Sequence, residues 1–71
     1  MTKAEKEIEL AQRVAEQVAA KEGISRSALV WMGKRAELSQ MFIAVENGKE
    51  TKIAAYYDKK GNVLRLEKQP Y

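Results

Sequence analysis

The chain has 71 residues, of which 45% are apolar, and it carries a net charge of +3. A chain of this length forms one domain with a small core, so we expect a single folded unit over residues 1–71. It contains neither cysteine nor histidine, which excludes disulfides, the usual zinc sites and an imidazole base. We therefore expect no metal and no cofactor, and stability from helix packing on a sheet or from burial against another subunit.

The sequence shows no signal for a membrane. No apolar run is long enough to cross a bilayer, and residues 1–10 lack the apolar centre of a signal peptide. We expect a cytoplasmic protein without a membrane partner. Its modest positive charge suits an anionic partner but does not form a polybasic surface.

Thr2 to about Lys21 are predicted to form one amphipathic helix. Thr2 can cap the first turn, and Gly23 can end the helix because glycine adopts the left-handed conformation without strain. Apolar residues recur at helical spacing on one stripe, which consists of Ile8, Ala11, Val14, Ala15, Val18 and Ala19.

The apolar segment after Gly23 has a period compatible with a helix or a strand. We predict a short second helix that begins after Ser25 and runs to about Leu38. Gly33 lies inside it, at a cost of about 1 kcal/mol relative to alanine. The apolar side chains that this helix would bury are Leu29, Met32 and Ala36.

In the alternative structure, residues 27–32 form a strand, residues 33–35 turn, and a second strand starts near Glu37. The β-branched and aromatic side chains of Val30 and Trp31 favour this alternative.

The C-terminal part of the chain is predicted to form a three-stranded antiparallel meander. Gln40–Val45, Thr51–Tyr57 and Val63–Glu67 are rich in strand formers and are separated by turn residues. The second turn is typical of a type I turn plus bulge, with Asp58 first and Gly61 in the left-handed position. The predicted class is α+β, with one helix plus a four-stranded meander as the alternative.

The register of the first two of these strands depends on the loop at residues 46–49. A two-residue Asn47–Gly48 turn pairs Ile43 with Lys52, whereas one further loop residue pairs Ile43 with Ile53. Apolar matching favours the longer loop. That register places Met41, Ile43, Val45, Ile53, Ala55 and Tyr57 on one face, and Phe42, Ala44, Lys52, Ala54 and Tyr56 on the other.

Both faces then carry large apolar side chains, although antiparallel sheets normally have one wet face. One or two helices can cover only one face of so small a sheet. We therefore expect the other face to contact a protein partner or a second copy of the chain.

The polar residues do not indicate a catalytic site. Carboxylates lie at helix edges and turns, and Ser25 and Ser27 have no histidine to activate them. The segment Asp58–Gly61 lacks the acid spacing of a calcium loop and is predicted to be only a turn. We therefore expect a non-enzymatic binding or regulatory protein.

Residues 19–32 resemble the turn region of helix-turn-helix proteins. A small residue stands four positions before Gly23, and apolar residues follow it at Ala28, Leu29 and Met32. The segment 23–27, Gly-Ile-Ser-Arg-Ser, is also similar to the junction that opens the second helix of ribbon-helix-helix repressors.

This resemblance implies a nucleic-acid-binding regulator. Arg26 and Ser27 would then face the groove or the phosphates, with Lys34 and Arg35 further along the second helix. The sequence departs from the helix-turn-helix pattern at Glu22, where an apolar residue is usual. Nor does the segment before the first helix alternate as the paired strand of a ribbon-helix-helix dimer does.

The sheet offers a second route to nucleic acid. Phe42 and Tyr56 are predicted to share a face with Lys52, and one of the possible registers of the last strand adds Arg65 to that face. Aromatic side chains beside cations form the stacking platforms of proteins that bind single-stranded nucleic acid. Alternatively, these aromatics pack under a helix or in a dimer. We expect Trp31 in the core or in an interface, because burial of a large indole side chain from an apolar run stabilises the protein.

Two functions follow as hypotheses. The first is a DNA- or RNA-binding regulator that acts as a homo-oligomer. The second is a protein-binding adaptor or inhibitor whose interface residues include Trp31, Phe42 and Tyr56.

Overall fold

One long helix opens the fold, with the predicted capping residues at both ends. The computed structural model describes residues 2–70, and α1 comprises Lys3–Glu22. The Thr2 side chain accepts a hydrogen bond from the Glu5 backbone N–H at 3.2 Å. Gly23 ends the helix at φ 68°, in the left-handed region where glycine is unstrained.

The apolar stripe of α1 is buried in its second half. Val14, Ala15 and Val18 are 0% exposed, and Ala19 is 5% exposed. Ile8, on the same stripe, is 56% exposed. Instead of entering the core, Ile8 lines a groove together with side chains of the first strand.

The predicted second helix is wrong. Ser25 caps only a 3₁₀ turn, Arg26–Ala28, and β1 follows at Leu29–Ala36. Gly33 adopts φ +113°, which no helix allows, and the β-branched and aromatic side chains before it favour an extended chain. Within residues 2–70 the second helix implied by the helix-turn-helix and ribbon-helix-helix resemblance is therefore absent.

The alternative architecture, one helix plus a four-stranded antiparallel meander, is confirmed. After β1 come β2 (Ser39–Glu46), β3 (Lys49–Tyr57) and β4 (Val63–Pro70), in the order β1-β2-β3-β4. β1 runs through the expected turn at residues 33–35, with a register shift between Trp31 and Gly33 that leaves Met32 without a ladder partner. β1 and β4 form the two edges of the sheet.

The predicted register of β2 and β3 is wrong, because a tight two-residue turn joins them. Asn47 and Gly48 both have positive φ, 50° and 76°, as a type I′ turn requires. Ile43 therefore pairs with Lys52 and Phe42 with Ile53. Because the pairing differs from the prediction by one residue, each side chain of β2 lies on the face opposite to the predicted one, relative to the side chains of β3.

One face of the sheet packs against α1 and forms the core. Phe42 is 0% exposed there, so its predicted position beside Lys52 and Tyr56 is wrong, and the alternative, packing under a helix, is confirmed for Phe42. The buried cluster comprises Val14, Ala15, Val18, Ala19, Leu29, Phe42, Ala44, Ile53, Ala55, Tyr57 and Val63.

The turn between β3 and β4 fixes the helix on the sheet. As predicted, Asp58 opens a type I turn, with the Gly61 N–H donating to the Asp58 carbonyl at 3.0 Å, and Gly61 has φ +86°. The Gln17 side chain donates to the Gly61 carbonyl at 2.6 Å and accepts from the Val63 N–H at 2.9 Å. One glutamine of α1 thus satisfies two backbone groups where the turn leads into β4.

Candidate functional site

The face of the sheet opposite α1 is the candidate site. We call it the open face, because no other element covers it in the part of the chain that the structure describes. Strand alternation and the observed register place Val30, Met32, Arg35, Met41, Ile43, Val45, Glu50, Lys52, Ala54, Tyr56, Arg65, Glu67 and Gln69 on it.

Aliphatic side chains occupy the β1–β2 half of the open face. Val30 is 49% exposed, Met32 56% and Val45 41%. Met41 is half-buried, and Ile43 is buried. A row of this kind on a small domain is an apolar patch of the type found at contact sites.

A shallow groove of about 630 Å³ runs across the open face. Its apolar floor consists of Met41, Ile43 and Ala54, with Met32 at the β1 side. The polar residues that line this open-face groove are Arg35, Lys52, Glu67 and Gln69.

The charges of the open-face groove are not balanced. Glu67 is already paired with Arg65, and it also accepts from the Tyr56 hydroxyl at 3.3 Å. Arg35 and Lys52 form no ion pair with any residue that the structure describes. The groove therefore presents two cations that form no ion pair beside an apolar floor.

The hydrogen bond from Arg65 lowers the pKa of the Glu67 carboxyl below its ordinary value. Partial desolvation opposes this effect, and the charge of Arg65, the Tyr56 hydroxyl and the charge of Arg35 add to it. Glu67 thus stays ionised but is engaged within the chain, so it contributes little attraction for a cationic partner.

Tyr56 is held by its neighbours. The Arg65 guanidinium carbon lies 4.0 Å from the centroid of the Tyr56 ring, and Arg35 donates to the Tyr56 hydroxyl at 3.0 Å. One face of the ring is therefore occupied by a cation, which leaves less of it for stacking on a base.

The residues predicted for nucleic acid do not converge on one surface. Arg35, Lys52 and Arg65 lie on the open face, together with Tyr56. Arg26 and Ser27 lie in the 3₁₀ turn, and Lys34 lines a groove on the α1 side of the sheet.

Of the three predicted interface residues, two remain accessible. Trp31 is 51% exposed on the α1 side of the sheet, and Tyr56 is half-buried on the open face, whereas Phe42 is in the core.

The open-face aliphatics are not among the site residues that the sequence predicts. The predicted register places Met41, Ile43 and Val45 on one face with the core residues of β3, because apolar matching selects the longer loop. The signal that could have found them is the Asn47–Gly48 pair, which is the usual sequence of a two-residue type I′ hairpin.

Residues 2–70 contain no helix that is both long and apolar enough to cross a membrane. Nor do the described acidic residues form a cluster of three or more that could hold a metal ion. No protein-family model, curated protein or solved structure matches the chain.

Proposed function

We propose that the chain is a non-enzymatic protein-interaction module that binds an acidic amphipathic segment of a partner protein in the open-face groove. The observation that carries the proposal is the combination of an apolar floor with two cations that form no ion pair, Arg35 and Lys52. A partner with apolar side chains flanked by carboxylates matches both features.

The floor favours a protein ligand because it is rich in flexible apolar groups. Met32 and Met41 are unbranched and polarizable, and methionine adapts to apolar partners of different shape. Burial of their exposed surface supplies affinity, at about 25 cal/mol per Å² of apolar area removed from water. Lys52 and Arg35 then select partners that carry negative charge.

Selection from a random peptide library displayed on phage tests the proposal, because such a library offers acidic, basic and neutral segments in competition. We expect the enriched sequences to combine Asp or Glu with Leu, Ile, Met or Phe. Lys52→Glu should weaken the selected peptides by about tenfold or more, equivalent to about 1.4 kcal/mol. Lys59→Glu is the matched control, because Lys59 lies exposed in the β3–β4 turn and outside the groove.

Three results would overturn the proposal. The first is enrichment of basic sequences, and the second is a set of peptides indifferent to Lys52→Glu. The third is a concentration-dependent dimer in sedimentation that Met41→Glu converts to a monomer, because a second copy would then cover the face.

A nucleic-acid-binding regulator is the second candidate, and one observation favours it. Arg35, Lys52 and Arg65 lie on the same face as Tyr56. Binding of labelled single-stranded DNA or RNA should then fall steeply with salt and in Arg35→Gln and Lys52→Gln. The pairing of Arg65 with Glu67 and the burial of Phe42 support the protein partner instead.

Assembly as a homo-oligomer and a cytoplasmic location stay predictions of the sequence. The absence of a catalytic activity is likewise a prediction.

A further inference from the structure

We propose that a second groove, on the α1 side of the sheet, binds a small organic anion with an apolar body. This helix–strand groove lies between the first turns of α1 and β1 and has a volume of about 410 Å³. Its lining includes Glu7, Ile8 and Ala11 of α1 together with Arg26, Trp31 and Lys34. It shares no lining residue with the open-face groove, so the proposal does not rest on the proposed function.

The walls of the helix–strand groove carry two large apolar side chains that the fold leaves accessible. Ile8 is 56% and Trp31 51% exposed, although Ile8 belongs to the apolar stripe of α1. Ala4 and Ala11 have only a methyl group each, which leaves space beside them. An apolar ligand in this space would remove both exposed side chains from water.

The size of the groove favours a small molecule. Ligand sites usually have volumes of about 300–1,000 Å³. The volume of about 410 Å³ lies within this range.

Trp31 is oriented before any ligand arrives. Its indole N–H donates to the Gln40 side-chain oxygen at 3.0 Å. Gln40 is 3% exposed and donates from its nitrogen to the Tyr57 hydroxyl at 3.2 Å. Because this buried pair fixes the indole, a ligand that packs on the ring loses little free energy in ordering it.

The charges at the groove favour an anion. Arg26 and Lys34 line it together with one carboxylate, Glu7, and neither cation has an ion pair with the residues described. Arg26 donates one N–H to the Leu29 carbonyl at 3.3 Å, and its other N–H groups stay available. A carboxylate attached to an aliphatic or aromatic body satisfies both the cations and the apolar walls.

Three probes with the same apolar body test the inference: octanoate, octanol and octylammonium. Trp31 is the single tryptophan of the chain, so its emission reports on the groove directly. We expect octanoate to shift the emission to the blue and to bind about tenfold tighter than octanol, with octylammonium weakest. Lys34→Gln and Arg26→Gln should each weaken octanoate by about threefold to tenfold and leave octanol unchanged.

Lys52→Gln is the matched control, because it removes a cation from the opposite face. All three substitutions lie on exposed side chains, so circular dichroism should show an unchanged fold. The inference fails if octanoate leaves the emission of Trp31 unchanged or binds no better than octanol. It also fails if Lys52→Gln weakens octanoate as much as Lys34→Gln does.

Discussion

Gln40 and Tyr57 form a buried side-chain hydrogen bond across the hairpin of β2 and β3, with 3.2 Å between the amide nitrogen and the hydroxyl. Gln40 is 3% exposed and Tyr57 2% exposed. The Gln40 oxygen also accepts from the indole N–H of Trp31 at 3.0 Å. The Gln40 amide thereby links the buried Tyr57 to the half-exposed Trp31.

The first prediction concerns this link. Gln40→Met leaves the Tyr57 hydroxyl without its donor, and Tyr57→Phe leaves the Gln40 amide without its acceptor. Each single variant should lose about 1–3 kcal/mol of stability in urea denaturation, because a buried polar group without a partner bears its full desolvation cost. The double variant should lose clearly less than the sum of the two. Additive losses would show that the two side chains are not coupled.

The second prediction compares two glycines with positive φ. A Cβ on Gly61 would lie 3.0 Å from Cδ1 of Leu10 and 3.2 Å from Cδ of Arg13, whereas a Cβ on Gly48 meets nothing within 4 Å. Both Gly→Ala substitutions incur the left-handed strain of about 1–2 kcal/mol. Gly61→Ala should cost about 1 kcal/mol more in thermal or chemical denaturation, because Leu10 packs against the core and must shift. Equal costs would contradict the close packing of α1 on this turn.

The third prediction concerns the pH dependence of stability. The backbone N–H of Asn62 is the main cause of the lowered pKa of Asp58; the Asn62 side chain, the Lys60 N–H and the charge of Lys60 add to it, and desolvation opposes it. The unfolded chain therefore binds the proton at higher pH than the folded chain. The stabilisation of the fold by the ionised Asp58 is complete at a pH above the pKa in the unfolded chain, about 3.9. It is lost as the pH falls through the lower pKa in the folded chain.

Asp58→Asn should consequently flatten the acid side of the stability profile below about pH 4–5 and leave the slope near pH 7 unchanged. Glu67→Gln is a useful comparison, because Glu67 also has a lowered pKa but lies on the open face. If the stability of Asp58→Asn falls with acid pH as steeply as that of the parent chain, these hydrogen bonds do not stabilise the ionised Asp58.

The fourth prediction asks whether the helix–strand groove is open in solution. Val14 is 0% exposed, so Val14→Ala should cost about 2 kcal/mol, the sum of lost transfer free energy and a cavity. Ile8 is 56% exposed, and Ile8→Ala should cost less than about 1 kcal/mol although it removes more atoms. A larger loss for Ile8→Ala than for Val14→Ala in the same denaturation experiment would mean that the groove is closed.

The helix and the turn between β3 and β4 are readable from local signals. Thr2 and Gly23 delimit α1 because a cap and a left-handed glycine act within one turn of the chain. Asp58 and Gly61 likewise specify their turn through nearby backbone groups.

The non-local features are harder to predict. The residues after Ser25 are compatible with a helix because a short apolar run has no distinct period, and Gly33 is the local signal against it. Apolar matching gives the wrong register of β2 and β3, because Asn47–Gly48 specifies a two-residue turn and this turn chemistry prevails. That single shift moves Phe42 into the core and Met41 and Ile43 onto the open face, and with them the candidate site.

The most direct test of the open-face groove is methyl NMR during titration with an acidic peptide from the display selection. Met32, Met41 and Ile43 carry methyl groups at the groove, whereas Ile8 and Ile53 carry them on the α1 side of the sheet. The account predicts that the first three signals shift with a common dissociation constant while the other two stay in place. Shifts confined to Ile8 and Ile53, or no shifts at all, would contradict it.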